Sequence, residues 1–120
     1  MATLTGCPVV HFEIGCKDLE STTKFYTDLF GWSPTSIPSA SLLNTNSSKG
    51  VPGHITSLGH EPFHYTTFYI QVEDIVGMLE HIAKAGGKKL VGPIPLPDGK
   101  QFAWFMDPEG NTVGLLKVPD

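Results

Sequence analysis

The sequence contains no arginine. Its eight basic residues are all lysines, set against twelve acidic ones for a net charge of −4. A bidentate clamp on a carboxylate or phosphate is therefore not on offer, since that geometry belongs to the guanidinium fork. There is no basic run either, so nucleic acid is not expected as a partner, because neutralising its backbone needs clustered cations. Cysteine is scarce. Cys7 and Cys16 form no CxxC pair, and with no secretory leader the expectation is reduced thiols in the cytoplasm. No stretch reaches the roughly 18 consecutive apolar residues that cross a bilayer, so no membrane partner is expected. The 120 residues suit one domain, and half of them would be marginal alone. The halves should pack on each other or on those of a second subunit, which makes a homodimer the expected assembly.

What the chain does have is one pattern written twice. Val10-His11-Phe12-Glu13-Ile14 through Asp18-Leu19 to Gly31 can be laid, at a constant offset, on Thr66-Thr67-Phe68-Tyr69-Ile70 through Asp74-Ile75 to Gly87. Each copy opens with a period-2 apolar run, the mark of a half-buried strand. Each continues with an Asp suited to capping a helix. An apolar stripe at helical spacing follows: Leu19, Thr22, Phe25, Tyr26 and Leu29, then Ile75, Leu79, Ile82 and Ala83. Each copy then ends in glycine, where a positive φ costs little.

In chain order the reading is strand Val9–Cys16, helix Leu19–Phe30, a strand from Trp32, a hairpin around Ser41-Leu42-Leu43, a turn-rich stretch to Gly53, and strand His54–Leu58. Module one is about 8–60 and module two about 64–119. The second runs through strand Tyr65–Val72, helix Ile75–Ala85 and strand Lys88–Val91. Alternate prolines over residues 92–99 argue for an extended loop along an edge or cleft. Strands Phe102–Met106 and Thr112–Val118 finish it, joined by Asp107-Pro108-Glu109-Gly110-Asn111, which has strong turn chemistry. Each half is thus βαβββ. The expected fold class is α+β, two antiparallel-rich sheets curled round a cavity with the helices outside. Phe68, Ile70 and Val72 should face the second helix. His11 and Glu13 share the face of their strand opposite Phe12 and Ile14, and Thr67, Tyr69 and Gln71 share the corresponding face of theirs.

This order, with Val10-His11-Phe12-Glu13-Ile14, Asp18-Leu19-Glu20, Phe25-Tyr26, Leu29-Phe30-Gly31-Trp32, Ala85-Gly86-Gly87 and Phe105-Met106-Asp107-Pro108-Glu109-Gly110-Asn111, resembles the vicinal oxygen chelate superfamily. That superfamily takes in glyoxalase I, bleomycin resistance proteins, extradiol dioxygenases and fosfomycin resistance proteins. The resemblance implies a cavity-floor metal site drawn from the first and last strand of each module, where a divalent ion stabilises developing negative charge. The positions carried over are His11, Ser57 (counted from Gly53, to within a residue or two), Thr67 and Gly114. Only His11 is a usual ligand. About three protein donors normally hold a catalytic ion, so no cofactor is expected. His54 is the one residue that could add a donor, if the strand register were shifted.

The remaining signals divide. His60-Glu61-Pro62-Phe63-His64 spells HExxH, but Pro62 sits between the histidines and bars the helix that motif needs. Cys16 alternates with Phe12 and Ile14 and reads as a small core residue. His81 reads as helix surface. His11 and Glu13 form the remaining polar pair, either an acid–base couple or polar lining. Tyr69 and Trp104, with Phe102 and Phe105 near, suit a pocket wall or simple packing. The ligand-binding candidates are therefore His11, Glu13, Ser57, Thr67, Tyr69, Trp104 and Gly114. The expected function is binding of a small organic molecule. The alternatives are a metal-dependent lyase or isomerase of glyoxalase type using His11, and a module that acts through protein contacts.

Overall fold

The computed structural model describes residues 6–58 and 64–119. They form β1 Val9–Gly15, α1 Leu19–Phe30, β2 Ser33–Ile37, β3 Ala40–Asn44, β4 Gly53–Thr56, β5 Tyr65–Gln71, α2 Ile75–Lys84, β6 Lys88–Pro95, β7 Gln101–Met106 and β8 Thr112–Lys117. This is βαβββ twice, an α+β fold. The chain divides into two compact units. One is His11–Thr67; the other takes Phe68 onward with the described residues before His11.

In the first unit the strand order is β2-β3-β4-β1. The β2–β3 and β3–β4 pairs are antiparallel, and β1 runs parallel to β4. Asp18 caps α1 by accepting from the Ser21 N–H at 3.1 Å, and Gly31 closes it at φ 71°, a left-handed turn that glycine enters freely. The core is Cys16, Leu43 and Ile55, with Phe12, Ile14, Leu19, Tyr26 and Trp32 packed on it. The second unit repeats the plan. Its order is β5-β8-β7-β6, with β5–β8 parallel and the rest antiparallel. Asp74 caps α2 on the Gly77 N–H at 3.0 Å. Val72, Ile75, Leu79, Ala103 and Leu115 form its core.

Three expectations change. The α1 stripe is narrower than its sequence suggests. Leu19 and Tyr26 lie two turns apart on one line and reach the core, while Phe25 and Leu29 lie round the helix from that line and are 55% and 61% exposed. Phe68 is 41% exposed rather than core, because the α2 cluster reaches only Ile70 and Val72 of that strand segment. The proline-rich stretch is strand as far as Pro95. It is tolerated because β6 is an edge strand whose pairing with β7 breaks register on both sides of Val91.

Candidate functional site

Glu13 is the polar centre of the first unit. Alternation along β1 turns it away from Phe12 and Ile14, together with His11. It is nevertheless only 3% exposed, and a buried carboxylate needs partners. The parallel register of β1 and β4 supplies one by setting His54 directly beside Glu13. Ile55, the next residue, is fully buried in the core, so His54 is left on the His11–Glu13 side. Tyr65, at the start of β5, supplies a second partner.

The four side chains form a continuous chain. The Tyr65 hydroxyl donates to Oε2 of Glu13. Oε1 of Glu13 lies 3.3 Å from Nε2 of His54. Nδ1 of His54 lies 2.7 Å from Nε2 of His11, with the ring centroids 5.0 Å apart. Burial first, and then the hydrogen bond and charge of Glu13, push the Tyr65 phenol above its ordinary range, so it stays a neutral donor.

This arrangement does not fit the ion site that the resemblance implies. His54 spends one ring nitrogen on His11 and the other on Glu13. Those nitrogens point to opposite sides of the ring, so the three side chains are strung in a line rather than converging on one point. The His11–His54 separation of 2.7 Å is also shorter than the roughly 3.3 Å that two nitrogens keep on a tetrahedral ion at ~2.0–2.1 Å bond lengths. Among the described residues no group of three or more His, Cys, Asp or Glu is placed to hold a metal.

The second unit closes the matching position differently. Gly114 lies opposite Tyr69 on one side and Trp104 on the other. A Cβ on Gly114 would come within 2.3 Å of the Tyr69 ring. Trp104 Nε1–H donates to the Tyr69 hydroxyl at 2.7 Å, so the two aromatics are linked to each other. Register also identifies the counterpart of Gly114 in the first unit. Glu13 and Tyr69 correspond in the repeat; the partner of Tyr69 is Gly114 and that of Glu13 is His54. Ser57, reached by counting along the turn, lies past the end of β4, and its N–H donates to the Ser39 carbonyl.

Of the other residues singled out, Thr67 is buried and lines an open hollow of about 630 Å³ in the first unit, alongside Phe12, Glu13, Ile14, Trp32 and Val51. Cys16 is core, as expected. Residues 60–63 of the HExxH stretch lie outside the described residues. Tyr65 is the member of the chain that sequence reasoning passed over. The signal was present, since Tyr65 alternates with Thr67 and Tyr69, but nothing local marks its hydroxyl as a partner of Glu13.

The fold and site define a class: paired βαβββ units that set polar side chains from parallel-paired strands on the face away from their helices. The model of the glyoxalase/bleomycin resistance protein/dioxygenase superfamily matches residues 9–115, and the chain belongs to that superfamily. It is 36% identical to a glyoxylase-like domain-containing protein of Didymella fabae over 89% of this chain and 91% of that one. It is 29% identical to the anthracycline biosynthesis protein DnrV of Streptomyces peucetius over 88% of this chain but only 45% of that longer protein. Among solved structures it is similar in fold to a variant of methylmalonyl-CoA epimerase from Streptomyces coelicolor in complex with 2-nitronate-propionyl-CoA. The TM-score is 0.68 and the identity 16%, over 95% of this chain and 99% of that one.

Proposed function

We propose that the first unit binds a small organic molecule against the apolar hollow beside Phe12, Trp32 and Val51, and that it does so without a metal ion. The observation that carries this reading is that the two ring nitrogens of His54 face His11 at 2.7 Å and Glu13 at 3.3 Å, which sets the three side chains in a row instead of a ligand cage. The hollow has the size of a ligand site and the composition of one, with mostly apolar walls and a few polar groups. Among the described residues no lysine lines it, which favours a ligand without a phosphate or carboxylate. The presence of a coenzyme A ligand in the epimerase complex supports small-molecule binding as a use of this fold, although the fold by itself does not specify a ligand.

Chelator-treated protein, screened against a library of neutral and cationic aromatic compounds by thermal shift and native mass spectrometry, tests the reading. A one-to-one complex that survives chelation, and weakens at least tenfold in Trp32→Ala, is expected. Stoichiometric metal held by three protein donors, with no binding after its removal, would overturn it. The reading includes a homodimer, supported by the exposed Phe25, Leu29 and Phe30 on and at the end of α1, since apolar surface of this kind marks contact sites when it is contiguous.

A further inference from the structure

The hollow in the first unit is walled by aromatic rings, and the charge that its lining can carry has one sign. We propose that the molecule it takes is an organic cation, an ammonium or alkylated amine on a compact apolar body, held against the faces of Phe12, Phe30 and Trp32. This rests on the first unit being a ligand site and names the class of its ligand.

All three rings line the same hollow of about 630 Å³. Trp32 joins the other two, its ring centroid lying 5.4 Å from that of Phe12 and 5.6 Å from that of Phe30. The planes are tilted by 47° and 35°, so the rings turn their faces at angles to one another instead of forming one flat stack. Tyr26 lies parallel to the indole, at 4° and 5.7 Å, and supports it without lining the hollow. Phe30 is left 58% exposed, apolar surface that a bound molecule would take out of water.

The wall is fastened in place. Asn46 sits at φ 56°, left-handed backbone that asparagine tolerates. Its side-chain amide donates to the Gly31 carbonyl at 2.7 Å and to the Ser33 hydroxyl at 2.9 Å. Those two residues flank Trp32 in the chain. The loop that carries Thr45, Ser47 and Gly50 into the hollow is thereby tied to the backbone on both sides of the indole. A wall already ordered spares the bound state the entropy of ordering it.

Charge selects the class. The face of an aromatic ring is the negative part of its quadrupole, and indole offers the strongest such surface. Among the described residues that line the hollow, Glu13 alone has an ionisable side chain, and its charge is negative. Lys49, in the same loop, is exposed and is not among the lining residues. A cation gains from the rings and from the carboxylate, a neutral molecule gains from the rings only, and an anion is opposed by both. The net charge of −4 acts in the same direction at longer range.

Phenyltrimethylammonium, tert-butylbenzene and benzenesulfonate have similar shapes and differ in charge. Each is titrated into the chelator-treated full chain and followed by the NMR shifts of the Trp32 indole and the rings around it. The cation is expected to bind at least about tenfold more tightly than its neutral isostere, and the sulfonate to leave those shifts unmoved. Trp32 is then replaced site-specifically by tryptophans bearing progressively more ring fluorines, which keep the shape of the indole while draining its negative face. Affinity for the cation is expected to fall with each added fluorine, and affinity for tert-butylbenzene to hold. Equal affinity for the charged and uncharged molecules, cation binding indifferent to fluorination, or a neutral library compound that binds where the cation does not, would overturn the cation class and leave the ligand-site reading standing. Absence of binding by all three and by every compound of the library would overturn the ligand-site reading, and the cation class with it.

Discussion

Tyr65 shows most directly how much depends on single side chains. Its phenol is held above the ordinary range by burial and by Glu13, so it favours the neutral form in the folded chain. A group raised on folding contributes stability below its unfolded pKa of about 10 and loses that contribution as pH climbs beyond it. Tyr65→Phe removes the donor to a buried carboxylate, which is expected to cost about 1–3 kcal/mol at neutral pH. The same variant should lose stability less steeply than wild type above about pH 10. Urea denaturation across that range measures both. An unchanged midpoint at neutral pH would mean that the Glu13 carboxylate does not depend on this hydroxyl.

At the scale of elements, glycines and caps settle how strands and helices approach. Gly53 and Gly114 are the paired cases. A Cβ on Gly53 would come within 2.5 Å of the Phe12 ring, and one on Gly114 within 2.3 Å of the Tyr69 ring. In each unit an aromatic from the first strand lies over a glycine in its parallel partner. Gly114→Ala must push the Tyr69 ring aside and is expected to cost at least the ~1–3 kcal/mol typical of overpacking. The Trp104 indole should report the displacement as a fluorescence change, because its N–H is bonded to Tyr69. The Asp18 cap is simpler. Asp18→Ala leaves the Ser21 N–H without its acceptor and should lower stability by about 1 kcal/mol, read from the chemical denaturation midpoint.

For the whole molecule the exposed Phe25, Leu29 and Phe30 bear on association. No described helix is long and apolar enough to cross a membrane, so the exposed apolar residues of α1 are not explained as a membrane span. If they meet a second copy, Leu29→Lys with Phe25→Lys should halve the mass found by light scattering at micromolar concentration, while far-UV circular dichroism stays unchanged. A wild-type chain that is already monomeric would remove the homodimer from the reading.

The sequence by itself determined the repeat, the βαβββ order, both Asp caps and the sidedness of β1, because these depend on local period and on residue chemistry a few positions apart. It also placed His11 and Glu13 on one face. Only the tertiary structure decided which residue of β4 stands next to them. Parallel pairing joins segments separated by a helix and a hairpin, and a slip of one residue would have turned His54 to the opposite face. Counting along a turn gave Ser57, whereas the strand register gave His54. The Tyr65 hydroxyl likewise reaches Glu13 from 52 residues away along the chain. Neither partnership leaves a trace in the spacing of residues along the chain, because hydrogen-bond partners on neighbouring strands are set by how whole strands align.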